Sequence, residues 1–309
     1  MQNAKRARVA HVSVGVAATA MLVASLVMSG GNGVLASGVS LPSHQIVLLR
    51  AVLGVAILAV MLLASRKPLQ MMAHKREALM LAGAGAALGA DWLFLFEAYE
   101  YAGVGMSTIL CYCAPIIVMA LSPLLFREKF TVQKTVGFVV VVAGAALVNV
   151  SAVQGGASAY GIACGLVSAV CFAAMMLLSK KVVHVAGVEK VFIELAAAAL
   201  VVGVYSVAFK GTSFEIVSAL SVADAVPIVL LGVSTALGNY LYLKAMGSLS
   251  AQSVAVLGYV EPLSAVAMGA VFLGETLLPV QMLGAGCIVF GAVLSELHGL
   301  PGRAKRARA

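Results

Sequence analysis

The sequence predicts an all-α membrane protein of ten transmembrane helices arranged as two inverted five-helix repeats, and three observations carry that prediction. The 309-residue chain is 62% apolar and only 10% charged, against roughly 25% charged residues in a soluble domain. Its lysines and arginines gather in alternate gaps between apolar runs. The chain also aligns with itself at an offset of 147 residues.

A bilayer crossing takes about 20 mostly apolar residues, so ten crossings fit this length and leave short loops. Runs broken by charge, Gly or Pro place the spans at 12–35, 43–64, 79–100, 103–126 and 131–150, then at 159–178, 188–209, 223–243, 251–274 and 277–297. The N-terminal stretch, with Lys5, Arg6 and Arg8 ahead of an apolar run and Leu35-Ala36-Ser37 behind it, also has the features of a signal peptide. Cleavage there would leave one repeat without its first helix, so the span is expected to be retained.

With ten spans the loops alternate between two sides, and Lys and Arg should concentrate on the cytoplasmic one. Among the chain's 20 Lys and Arg, only Lys210 falls in a loop of the opposite side, and only Arg50 lies well inside a span. A wrong span count would scatter these charges. Both termini are therefore expected in the cytoplasm of a multi-pass plasma-membrane protein. The formal charge of +8 reflects this asymmetry and not a nucleic-acid surface, since no basic face with interleaved aromatics occurs. The expected partners are a small-molecule substrate and the lipid bilayer, with a homodimer left open.

The 147-residue offset pairs Ala98 with Ala245, Pro115 with Pro262, Glu128 with Glu275, Gly137 with Gly284, and Gly144-Ala145 with Gly291-Ala292. Five spans per half make the second copy enter the membrane upside down relative to the first, and inverted repeats of this kind underlie alternating access around a site near the midplane. The predicted units are 1–150, 151–300 and a basic cytoplasmic tail, 301–309.

The two copies read FEAYEYAGVGMSTILCYCAPIIVMALSPLLFREKFTVQKTVG and LKAMGSLSAQSVAVLGYVEPLSAVAMGAVFLGETLLPVQMLG. Their pattern of Ala, Pro, an acidic residue and Gly-rich packing resembles the drug/metabolite transporter superfamily, specifically its ten-helix EamA type. SGGNGVLASGVSLPSHQIVLLR, ending at Arg50, is similar to the family's first helix and loop. Two departures are Met28, where the family commonly has an aromatic, and Ala102, where a polar residue is usual. The resemblance implies a permease, in many members an exporter of metabolites; it names no substrate.

Ionisable groups deep in a bilayer are expensive unless paired or facing water, so each is a functional candidate. Asp91, beside Trp92 and midway along its span, suits a cation or proton site, or equally a partner for Arg50. Arg50 could receive an anionic group, because its planar fork fits a carboxylate; a structural salt bridge to Asp91 or Glu194 is the competing reading. Glu261 precedes Pro262, which frees the carbonyl of Gly258 for a kink or a ligand. Pro115 and Pro262 are the expected kink or gating positions. Asn32, Tyr112, Asn239, Tyr240, Tyr242 and Tyr259 could orient a ligand or simply pack helices. Glu194 could snorkel to water. Glu128 and Glu275 read as helix-end features, and Gly85/Gly89 and Gly161/Gly165 as close-packing pairs.

The five cysteines (Cys111, Cys113, Cys164, Cys171, Cys287) read as packing residues, and the histidines show no metal spacing. No nucleotide loop appears, and no cofactor is implied. The leading functional reading is a secondary transporter exporting amino acids or amphipathic compounds, coupled to protons or moving solute by facilitated diffusion or exchange. A membrane-embedded enzyme acting on a lipid or isoprenoid, or a channel, are the alternatives; the enzyme would call for clustered Asp or His or a nucleophile with its base, which the sequence does not show, and a channel does not account for a midplane constellation inside an inverted repeat.

Overall fold

The apolar runs fold as helices because a bilayer offers no water to satisfy backbone N–H and C=O groups, so each segment must satisfy its own. The structure is a computed structural model describing residues 2–66, 68–149, 158–211, 221–274 and 278–296. Among the described residues every element is helical: α1 (Gln2–Ser37), α2 (Ser43–Ser65), α3 (Gln70–Ala73), α4 (Lys75–Ala102), α5 (Val104–Cys111), α6 (Ala114–Phe126) and α7 (Val132–Asn149) form the first half. The second half holds α8 (Ala159–Lys181), α9 (Gly187–Ala208), α10 (Val222–Met246), α11 (Ala251–Leu257), α12 (Val260–Phe272) and α13 (Pro279–Glu296). Among the described residues nine helices are long and apolar enough to cross a membrane, and Pro279–Ser295 is a slightly shorter tenth. The basic tail 301–309 and Glu275 lie outside the described residues.

Four elements differ from the expected spans. The first helix begins ahead of the apolar run, at Gln2, and a short helix, α3, occupies the loop before α4. The fourth and ninth crossings are each broken, α5 from α6 and α11 from α12, three residues ahead of Pro115 and Pro262. A proline lacks the N–H that the preceding turn needs, so the helix restarts there. The Gly258 carbonyl, expected to be freed, accepts the N–H of Glu261 at 3.1 Å, and Gly258 lines the central cavity.

Packing repeats under exchange of the halves. Helix α1 lies against α10 as α8 lies against α4, α4 packs on α9 as α10 packs on α2, and α1 meets α12 as α8 meets α5 and α6. The pairs α2 with α9 and α7 with α13 each join the two copies of one helix. Two of these contacts are closer than any side chain allows. A Cβ on Gly144 would lie 2.7 Å from the Gly284 carbonyl oxygen, and one on Gly284 would lie 2.6 Å from that of Gly144. The expected Gly85/Gly89 pair works in the same way: a Cβ on Gly89 would sit 2.8 Å from the Ala198 carbonyl of α9. Small residues at these crossings let the backbones approach without a hydrophobic driving force between helices.

The end of the bundle that carries the basic loops is joined by polar contacts, between the halves and, at Lys180, within the second half. Ala251 and Gln252 donate their backbone N–H groups to the Glu128 carboxylate at 2.7 and 3.0 Å, so this acid caps α11 of the other half. Lys134 Nζ reaches Ser250 Oγ at 3.4 Å, and Lys180 Nζ donates to the carbonyls of Met246, at 3.1 Å, and Leu249. Glu77 accepts from the N–H groups of His184 and Val185, and Glu189 from those of Gln70 and Met71. Glu128→Ala removes a cap from two orphan N–H groups, a loss of about 1 kcal/mol. A lower Tm than wild type in detergent is the expected outcome, and an unchanged Tm would show that the cap contributes nothing.

Candidate functional site

Broken helices and small residues leave a cavity of about 260 Å³ in the middle of the bundle, walled by α1, α2, α4, α5, α6, α8, α10, α11 and α12. Of the residues singled out in the sequence, Asn32, Arg50, Asp91, Trp92, Tyr112, Pro115, Asn239, Tyr242 and Glu261 line it. They come from both halves, as expected of a site at a repeat interface.

The arrangement of charge is the informative part. The Arg50 guanidinium carbon sits 4.6 Å from the centroid of the Trp92 ring, a stacked cation on an aromatic face. No carboxylate oxygen lies within ion-pairing distance of it: among the described residues the ion pairs are His184–Glu77 and Lys210–Glu97, both away from the cavity. Its Nε is buried with no hydrogen-bond partner. The salt bridge to Asp91 or Glu194 is therefore not formed. Asp91, 3% exposed, accepts from Ser168 Oγ at 2.6 Å, while the Glu261 carboxylate faces the cavity from the first turn of α12. One cationic fork and two carboxylates thus face one volume without neutralising one another directly.

Neutral groups complete the wall. Asn32 Oδ1 accepts from Ser234 Oγ at 2.8 Å, joining α1 to α10, and Asn239 Nδ2 donates to the Thr235 carbonyl at 2.7 Å. Both residues line the cavity. Tyr99, Thr108, Ser29 and Cys111 also line it, none of them singled out from the sequence as a ligand contact.

Four named residues lie elsewhere. Tyr259, 1% exposed, donates its hydroxyl to the Tyr112 carbonyl at 2.7 Å, and the two rings, counterparts at the 147-residue offset, lie 5.8 Å apart. They lock the two helix breaks together. Tyr240 is placed outside the cavity, beneath Lys244 Nζ at 5.4 Å from its ring centroid. Pro262 shapes α12 without reaching the lining. Glu194 does not snorkel: it is 2% exposed and accepts from Ser179 Oγ.

A second cavity, of about 440 Å³, lies at the end opposite the basic loops, bordered by His44, Phe96, Glu97, Tyr99, Tyr205 and Lys210. Glu97 accepts from Tyr205 Oη at 2.7 Å and lies 3.4 Å from Lys210 Nζ, which raises the Lys210 ammonium pKa above its ordinary value. Tyr99 lines both cavities. The basic-end residues Phe126, Lys180 and Met246 line neither.

Comparison with known proteins agrees with this architecture. The signature of the EamA-like transporter family matches residues 16–150 and again residues 159–297, one match to each half. The chain is 24% identical over 280 residues to the uncharacterized transporter YxxF of Bacillus subtilis (strain 168), covering 89% of this chain and 88% of that one. A solved crystal structure superposes with a TM-score of 0.76 at 18% identity, covering 91% of this chain and 98% of the other, a likeness of fold.

Proposed function

Because the chain belongs to the EamA-like transporter family, we propose that it is a secondary transporter that exports small carboxylate-bearing metabolites, amino acids or amphipathic compounds, by alternating access between its two halves. The observation that carries this reading is Arg50, a guanidinium stacked on Trp92 whose Nε is buried without a partner and which has no carboxylate within ion-pairing distance among the described residues. A buried charge left unpaired costs several kcal/mol, and a protein retains that cost where a ligand supplies the missing charge. A substrate carboxylate would take the fork of Arg50. An ammonium or other polar group would meet Asp91 or Glu261, and the apolar body would lie against Trp92, Tyr112 and Tyr242. No covalent step is needed.

The two ends give this site its direction of access. The basic end, read as cytoplasmic by the positive-inside rule, is closed by the Lys180 and Glu128 contacts. On this reading the structure is the outward-facing member of the cycle, in a plasma membrane, with both termini in the cytoplasm. Exchange of the two halves' conformations opens the basic end and closes the other.

The test is a comparison of metabolites inside and outside cells producing wild type or Asp91→Asn/Glu261→Gln at matched membrane levels. The expected result is a compound depleted inside and enriched outside for wild type alone. Identical profiles from the two would overturn the assignment of the carboxylates.

A further inference from the structure

The two cavities meet at one side chain. Tyr99 lines both the central cavity and the outer cavity, the one described residue common to the two linings. The ring is fixed from both sides. Its edge meets Phe96 at a centroid distance of 5.8 Å, and its hydroxyl hydrogen-bonds Thr108. Thr108 lies on α5, beyond Gly103, where a φ of 79° ends α4. The Tyr99–Thr108 bond therefore spans the joint between two helices that must move relative to each other if this end closes.

The inverted repeat says what that closure places here. At the 147-residue offset the counterpart of Tyr99 is Met246, the last residue of α10. Met246 is 1% exposed at the closed basic end, and its carbonyl accepts from Lys180. Met246 is enclosed at the basic end, whereas its counterpart Tyr99 is partly exposed between the two cavities. On the exchange of conformations proposed above, Tyr99 takes up the enclosed environment that Met246 has here.

We propose that Tyr99 is the selectivity threshold of the outer route: its ring sets the size of solute admitted to or released from the central cavity, and its bond to Thr108 positions that ring. The inference rests on the transport reading for its purpose, and on geometry alone for its content. Small or flat amphipathic solutes pass beside the ring, whereas bulky ones require its displacement.

Cys111 lies in the central cavity behind this threshold and serves as a reporter that needs no known substrate. With Cys113, Cys164, Cys171 and Cys287 replaced by alanine, Cys111 is labelled in intact cells and in inverted vesicles. The two probes are a small methanethiosulfonate cation and a bulky stilbene-disulfonate maleimide, both membrane-impermeant. Tyr99→Ala is expected to raise the bulky reagent's rate about tenfold relative to the small one, in one membrane orientation only, and Tyr99→Trp to slow both, a change of about 1.4 kcal/mol in the barrier. Should Tyr99→Ala not accumulate in the membrane, Tyr99→Leu takes its place. A rate ratio unchanged by these substitutions in both orientations would overturn the proposal. Because labelling requires no transport, such a result alongside a positive metabolite comparison would remove Tyr99 and leave the transporter reading standing.

Discussion

Gly284→Leu is expected to deplete the membrane of folded protein, whereas Gly286→Leu, two residues along the same helix, is expected to leave it intact. A Cβ at Gly284 would lie 2.6 Å from the Gly144 carbonyl oxygen and 2.8 Å from the Val148 nitrogen; one at Gly286 would meet nothing within 4 Å. Both obstacles at Gly284 are backbone atoms, which cannot rotate aside as a side chain would. Helices α7 and α13 must instead separate along their contact, and overpacking of this kind costs roughly 1–3 kcal/mol or more from a total stability of about 5–15 kcal/mol. The repeat makes the prediction double, since at the image of this crossing a Cβ at Gly137 would lie 2.6 Å from the Gly291 oxygen and one at Gly291 2.6 Å from that of Gly137. Size-exclusion chromatography of fluorescent fusions in detergent reads the result as the monodisperse fraction. Equal peaks for Gly284→Leu and Gly286→Leu would contradict the packing described.

Arg50→Gln is expected to abolish export without lowering stability. This pairing of outcomes separates a ligand site from a structural ion pair. Removing one member of a buried pair strands the other charge and destabilises by about 3–5 kcal/mol. Here Arg50 has no partner within ion-pairing distance among the described residues, so its loss strands nothing and relieves a desolvated charge. The Tm of the purified variant should equal or exceed that of wild type, while outward movement of the wild-type solute falls about a hundredfold, equivalent to roughly 3 kcal/mol of lost binding. Arg50→Lys should not restore it, because an ammonium lacks both the planar stack on Trp92 and the two-pronged fork. A Tm several degrees below wild type would reassign Arg50 to the scaffold.

Much of the fold is legible in the sequence because a bilayer enforces simple rules. Crossing length, charge parity and the paired Pro115 and Pro262 each follow from the solvent or from backbone chemistry, and none depends on how helices tilt. The cavity is legible in part for the same reason: Arg50, Asp91 and Glu261 are too costly in a bilayer to go unnoticed. Tyr99 and Thr108 were not legible as a site, since an aromatic near a helix end and a threonine inside a span are ordinary until two helices are placed beside each other. Tyr259 shows the opposite failure. Its sequence context matches a ligand contact, yet its hydroxyl is used by the carbonyl of its own repeat counterpart, Tyr112. Glu128 ends its own span, but the N–H groups it satisfies belong to α11, more than 120 residues away. Such a contact between distant segments has no local signal.

The central claim, that a transported carboxylate occupies Arg50 over Trp92, is open to direct measurement because Trp92 is the chain's one tryptophan. Purified protein in lipid nanodiscs would be titrated with the solute that wild-type cells export, and the emission of Trp92 followed. The account predicts a saturable change in emission for wild type that is lost in Arg50→Gln. An exported solute that binds and leaves Trp92 emission unchanged, or changes it equally in Arg50→Gln, would contradict it.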